Sequence, residues 1–233
     1  MYLIRGEIAV NLFFLNLTWS ARWSLGGLIL LSSLFAMGCQ RPLAPEKSCQ
    51  FYQNPDGQRV SWKKNLPVKL YVHSSVPTEA YQPLREAIDQ YKELEKELGK
   101  PVFQIVGYGV DAPPTPSRDG NSMIYWLSDW EADRPSEQGR TTVYWSGNSI
   151  YEADMRINAS PMSAFEFNFA SDHNSPNGTD LRSLFVHELG HVLGLEHTDA
   201  PGSVMNTHLQ EGTIRATLSA EDLNDLRCEY TPG

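Results

Sequence analysis

Three of the chain's six histidines fall within one short stretch, His187-Glu188-Leu189-Gly190-His191-Val192-Leu193-Gly194-Leu195-Glu196-His197. His187 and His191 are four residues apart, so on a helix they stack on one face. Both can then offer a ring nitrogen to one cation, at about 2.0–2.1 Å if it is zinc. Gly194 can take a left-handed conformation, end the helix and turn the chain so that His197 supplies a third nitrogen. Three neutral nitrogens leave the fourth tetrahedral position open to water, the arrangement of a catalytic rather than a structural zinc site. Glu188 adjoins the first ligand. It is placed to take a proton from water whose pKa zinc lowers from about 15.7 to about 7. The plain alternative is a buried helix with histidines satisfied by hydrogen bonds. It gives no reason for all the restricted positions of the stretch to agree.

The spacing HExxHxxGxxH is the metzincin signature. A lone methionine is core filler by default. Met205, in Ser203-Val204-Met205-Asn206 shortly after the third histidine, instead resembles the metzincin methionine turn. From His187 to Asn206 the chain resembles the matrixin branch, the matrix-metalloproteinase-like metzincins, in which Ser or Thr follows the third histidine as Thr198 does here. The turn departs from that pattern. It is usually Ala-Leu-Met-Tyr-Pro and here reads Ser203-Val204-Met205-Asn206-Thr207, without the Tyr and Pro that help wall the primed side of the cleft. Thr207 also stands where astacins and serralysins would place a zinc-binding tyrosine, which argues against those branches.

The resemblance implies an α+β fold: a mixed five-stranded twisted sheet, a long backing helix, an active-site helix and a C-terminal helix. It implies one catalytic Zn2+ on His187, His191 and His197, with Glu188 as general base and Met205 and Gly194 shaping the site. The activity implied is endopeptidase cleavage of a protein or peptide bound in extended form. Two other classes stay open: a proteolytically silent zinc-containing binding lipoprotein, and a zinc hydrolase of a non-peptide bond. The intact Glu188 speaks against the first. A further Ca2+ or Zn2+ in the polar stretch 171–180 matches no ligand spacing. A solvated loop whose Thr179 or Asp180 caps the next helix accounts for that stretch.

The elements that must position these residues follow from periodicity. Val68–His73 reads as a strand with His73 at its end. Leu84, Ala87, Ile88, Tyr91, Leu94 and Leu98 read as one long amphipathic helix stopped at Gly99. Residues 102–106, 122–127 and 141–145 read as strands, and Phe165–Phe169 as the last one. Ile150–Asn158 alternates and resembles the edge strand along the metzincin cleft, where substrate adds by main-chain hydrogen bonds. On the histidine helix Phe185, Leu189 and Val192 would face the core. Ser219 and Asp222 form a capping box, with Leu218 and Leu223 as staple, and Asp222 also resembles the matrixin aspartate behind the methionine turn. His208 has no assigned partner.

The 233 residues are 41% hydrophobic and 20% charged, which allows one folded domain, 60–233, after a leader and a tether. A net charge of −9 argues against nucleic acid as partner. Arg22 precedes the apolar run Leu25–Phe35, as in a signal peptide covering 1–38. Ala36-Met37-Gly38-Cys39 resembles a bacterial lipoprotein cleavage site. The expectation is an exported, monomeric protein lipid-anchored through Cys39 to the cell envelope; plain secretion and an uncleaved anchor are the alternatives. Residues 39–59 read as the tether. Lipidating Cys39 leaves Cys49 and Cys228 for a disulfide. The rival reading, Cys49 as a zinc-ligating latency switch, lacks the surrounding Pro-Arg-Cys-Gly-Pro-Asp type of motif.

Overall fold

The structure, a computed structural model, describes residues 49–63, 65–163, 165–169 and 178–231. The leader 1–38, Cys39 and residues 171–177 lie outside the described residues.

Strands β1 (Val68–His73), β2 (Phe103–Val110), β3 (Ser122–Leu127), β4 (Gly139–Ser146) and β5 (Ser149–Asn158) form one mixed sheet in the order β2-β1-β3-β5-β4. The first four in that order run parallel, and β4 pairs antiparallel to β5 at the edge. Helices α1 (Tyr81–Asp89) and α3 (Leu181–Leu193) pack beside each other. Leu70, Leu84, Ile124, Met155, Ile157, Phe185 and Leu189 are fully buried in the core, and Val192 is buried with them. Each such side chain contributes roughly 1.5–3 kcal/mol of apolar burial. Among the described residues no helix is long and apolar enough to cross a membrane.

Four expectations need correction. The long helix is two, α1 and α2 (Lys92–Leu98), parted at Gln90–Tyr91. There Gln90 N bonds Ala87 O and Tyr91 N bonds Ile88 O, a tighter winding than α. Tyr91 is pulled fully into the core, where its hydroxyl donates to Val186 O at 2.9 Å. Second, the edge strand is β4, and β5 is interior. The alternation in β5 misled because its polar members are buried: Glu152 accepts from the Asp119 and Gly120 amides, and Asp154 from that of Met123.

Third, of Phe165–Phe169 only β6 (Phe167–Asn168) is strand. It pairs with β7 (Thr179–Asp180) apart from the main sheet. Fourth, the tether expected over 39–59 is, from Cys49 onward, part of the folded body. Phe51 is 1% exposed, bridges to Leu195 and packs against the Tyr230 ring at 6.0 Å. A disulfide joins Cys49 to Cys228 in helix α4 (Ala220–Tyr230), so Cys49 is not a zinc-ligating switch. Glu229 of α4 adds bonds to Arg59, Ser61 and Lys63.

The disulfide closes a loop across a sequence separation of 179 residues. On the chain-entropy account that is on the order of 5 kcal/mol of stabilisation. Cys228→Ser is expected to lower the unfolding free energy by about 2–5 kcal/mol in a urea titration; an unchanged midpoint would contradict this role.

Candidate metal centre

Helix α3 starts on Asp180, whose carboxylate accepts from Ser183 N at 2.7 Å and from Ser183 Oγ at 2.5 Å. This satisfies a free amide of the first turn and fixes the helix's rotation. His187 and His191 then share one face. His187 Nδ1 lies 2.7 Å from Val204 O and His191 Nδ1 lies 2.8 Å from Leu195 O. A carbonyl only accepts, so each Nδ1 carries the proton and each Nε2 presents a lone pair.

The Nε2 atoms of His187, His191 and His197 converge to 3.1, 3.0 and 3.2 Å from one another. Lone pairs facing each other at that distance repel, and between the two Nδ1-protonated rings no proton is left to bridge. A cation resolves the arrangement. Ligands around tetrahedral zinc with bonds of about 2.0–2.1 Å would lie roughly 3.3 Å apart, so the triad fits. Burial pushes the His187 imidazole down to about 4, against the lift from the Val204 hydrogen bond. Burial and the neighbouring histidines hold His191 well below its ordinary range, and burial lowers His197. Neutral imidazoles are what a metal requires.

Gly194 ends α3 at φ +101°, and a Cβ there would sit 2.4 Å from Val60 O. Only glycine fits. The chain then runs antiparallel to the Cys49 segment. Tyr52 N bonds Gly194 O and Glu196 N bonds Gln50 O, both at 2.9 Å, and the pair steers His197 under the helix. Tyr52 also places its hydroxyl 3.4 Å from His191 Nδ1. Thr198 N bonds Met205 O at 3.1 Å and closes the circuit to the methionine turn.

A sequence model of the Matrixin family matches residues 114–231, half of the chain. The chain belongs to the matrixin family. It is therefore a metalloprotease in general kind, and zinc is the metal the family implies for this triad.

In this matrixin the turn rests on Asp222. Its carboxylate accepts from Ser203 Oγ at 2.5 Å and Val204 N at 3.1 Å while also capping α4 through Ser219 N at 2.8 Å. The turn in turn holds His187 through Val204 O. Met205 lies beneath α3, where its Sδ would be 2.3 Å from a Cβ on Gly190. A side chain at Gly190 would therefore have to displace the Met205 thioether, which spacing alone does not reveal. Gly190→Ala is expected to destabilise the protein by about 1–3 kcal/mol through overpacking and to weaken zinc retention. Met205→Ala in the same chain should restore part of the stability, as read by thermal melts.

Glu188 is 3% exposed, and its Oε2 accepts from Thr141 Oγ1 of β4 at 2.6 Å. A Cβ on Gly139 would sit 3.0 Å from Glu188 Oε1, so the edge strand lies directly over this carboxyl. Gly139 and Thr141 belong to the site although no sequence motif marked them. His73 is buried on Ser75 and Ala112 O, and His208 is exposed beside Thr207; neither joins the triad.

Burial pushes the Glu188 carboxyl up to about 7, partly offset by the Thr141 bond. A carboxyl raised on folding weakens the fold when ionised, and below its unfolded pKa of about 4.3 the effect is gone. In metal-free protein Glu188→Gln should therefore raise the urea midpoint at pH 8 and leave it nearly unchanged at pH 4. A shift of the same size at both values would contradict the assignment.

Proposed function

We propose that this matrixin is a zinc endopeptidase that hydrolyses peptide bonds in chains laid along the outer edge of β4, with Glu188 as general base. The observation that carries the reading is the buried Glu188 carboxyl, held by Thr141 between the edge strand and the histidine helix. When bound, zinc would polarise the scissile carbonyl and acidify an attacking water.

Gln138 O accepts from Asn158 N, so the antiparallel alternation turns the main-chain groups of Gly139, Thr141 and Val143 away from β5. Among the described residues no strand covers that edge. An extended substrate can add there as a further strand and take its register from backbone hydrogen bonds. Thr141 Oγ1 orients Glu188, and burial keeps the carboxyl near the pKa at which it can both accept a proton and return it to the leaving amine.

The exported, envelope-anchored setting is part of the same proposal. It is supported by the lipoprotein-like Ala36–Cys39 sequence and by a disulfide, which persists in oxidising compartments.

A casein gel and quenched fluorogenic peptides test the reading. The zinc-loaded protein should cleave, a chelator should abolish cleavage, and Glu188→Gln should lower the rate roughly 100- to 10,000-fold with its zinc retained. Unchanged cleavage by the variant rejects the mechanism. A zinc-loaded wild type that cleaves no peptide leaves the silent-binding reading.

A further inference from the structure

Among the described residues, one cation beside the metal centre has no acidic partner within ion-pair distance. Arg215 lies in the loop between the methionine turn and α4. Its main-chain N donates to Ser183 Oγ at 2.8 Å, one helical turn before His187 on the same face of α3. Its guanidinium donates to Asn206 O at 2.7 Å and His208 O at 3.0 Å, the residues that follow Met205 along the cleft wall. It is half-buried, and it acts electrostatically on His187. Among the described residues no carboxylate lies within ion-pair distance of it; Asp222 reaches it only through space. A guanidinium has five N–H donors, and two carbonyls leave the rest available. By contrast Arg140, Arg156 and Arg227, also half-buried, each hold a carboxylate within ion-pair distance.

On the same side, Gln138, the residue before β4, donates from Nε2 to Leu209 O at 3.3 Å and to Thr179 Oγ1 at 2.8 Å. That side chain ties the entry of the edge strand to the segment that follows the wall.

We propose that Arg215 is a specificity-determining residue that binds a carboxylate of the substrate, next to the scissile bond on the side walled by Asn206–His208. The inference rests on the peptidase reading. The carboxylate has two sources, an internal Asp or Glu side chain and the free C-terminus of a short departing segment. A partly desolvated, charge-assisted contact of this kind discriminates roughly 10- to 100-fold.

The test uses matched fluorogenic peptides on the zinc-loaded protein. One arm sets Glu against Gln at each position flanking the cleaved bond. The other sets a free C-terminal acid against its amide, one to three residues beyond that bond. Wild type should favour the carboxylate in one arm by roughly 10- to 100-fold in kcat/KM. Arg215→Gln should erase the ratio, and Arg215→Glu should reverse it toward Lys or the amide. Wild-type cleavage with no preference in either arm overturns the inference and leaves peptide hydrolysis standing. A uniform loss across both members of each pair in Arg215→Gln marks a wall-holding role alone and also overturns it. Should wild type cleave nothing, the peptidase reading fails, and calorimetric binding of the same pairs to zinc-loaded Glu188→Gln decides: equal Kd values overturn the role of Arg215, and tighter binding of the acids supports it.

Discussion

The structure depends on three imidazole lone pairs being forced to one point. Left alone, such nitrogens would turn apart or share protons. They are held because two of the rings have their far nitrogen committed to a carbonyl, Val204 O for His187 and Leu195 O for His191. Those carbonyls belong to loops, so the loops themselves must be rigid. Most of the remaining architecture supplies that rigidity.

Support reaches the triad from two directions. From below, Asp222 fixes Ser203 and Val204, and through them the ring of His187. From the flank, the Cys49–Trp62 segment pairs with Gly194–Glu196, and Trp62 Nε1 caps the Val192 carbonyl near the end of α3 at 2.7 Å. Both supports converge on α4, through the Asp222 capping box and through the Cys49–Cys228 bridge with its Glu229 network. The helix most distant in role from the chemistry is the one to which its scaffold is fastened.

Local, sterically demanding features were legible from the residues. The histidine spacing, the glycine exit, the Ser219–Asp222 box and the cap on α3 each depend on a few neighbouring positions. The five-stranded mixed sheet came from the family resemblance, since periodicity alone offered six strands. What escaped depends on partners distant in sequence. Glu152 and Asp154 look like solvent-facing strand residues until the amides of Asp119, Gly120 and Met123 satisfy them, and so β5 was mistaken for the edge. Tyr91 breaks a helix whose periodicity is unbroken, because Val186 O draws its hydroxyl inward. Gly190 is packed by a sulfur fifteen residues later, and Thr141 is engaged by a carboxyl 47 residues later. The Cys49–Arg59 stretch carries loop-like Pro and Gly, yet Phe51 anchors it against Leu195.

The placement of Asp222 has a consequence for biosynthesis. A nascent chain that has emerged only through His197 already contains every ligand, but the carboxylate that fixes the turn behind His187 and the cysteine that fastens the N-terminal strap are still unmade. The order of translation therefore puts the lock after the key parts. The geometry of the histidine triad would be complete only once α4 has docked against the turn and the N-terminal strap.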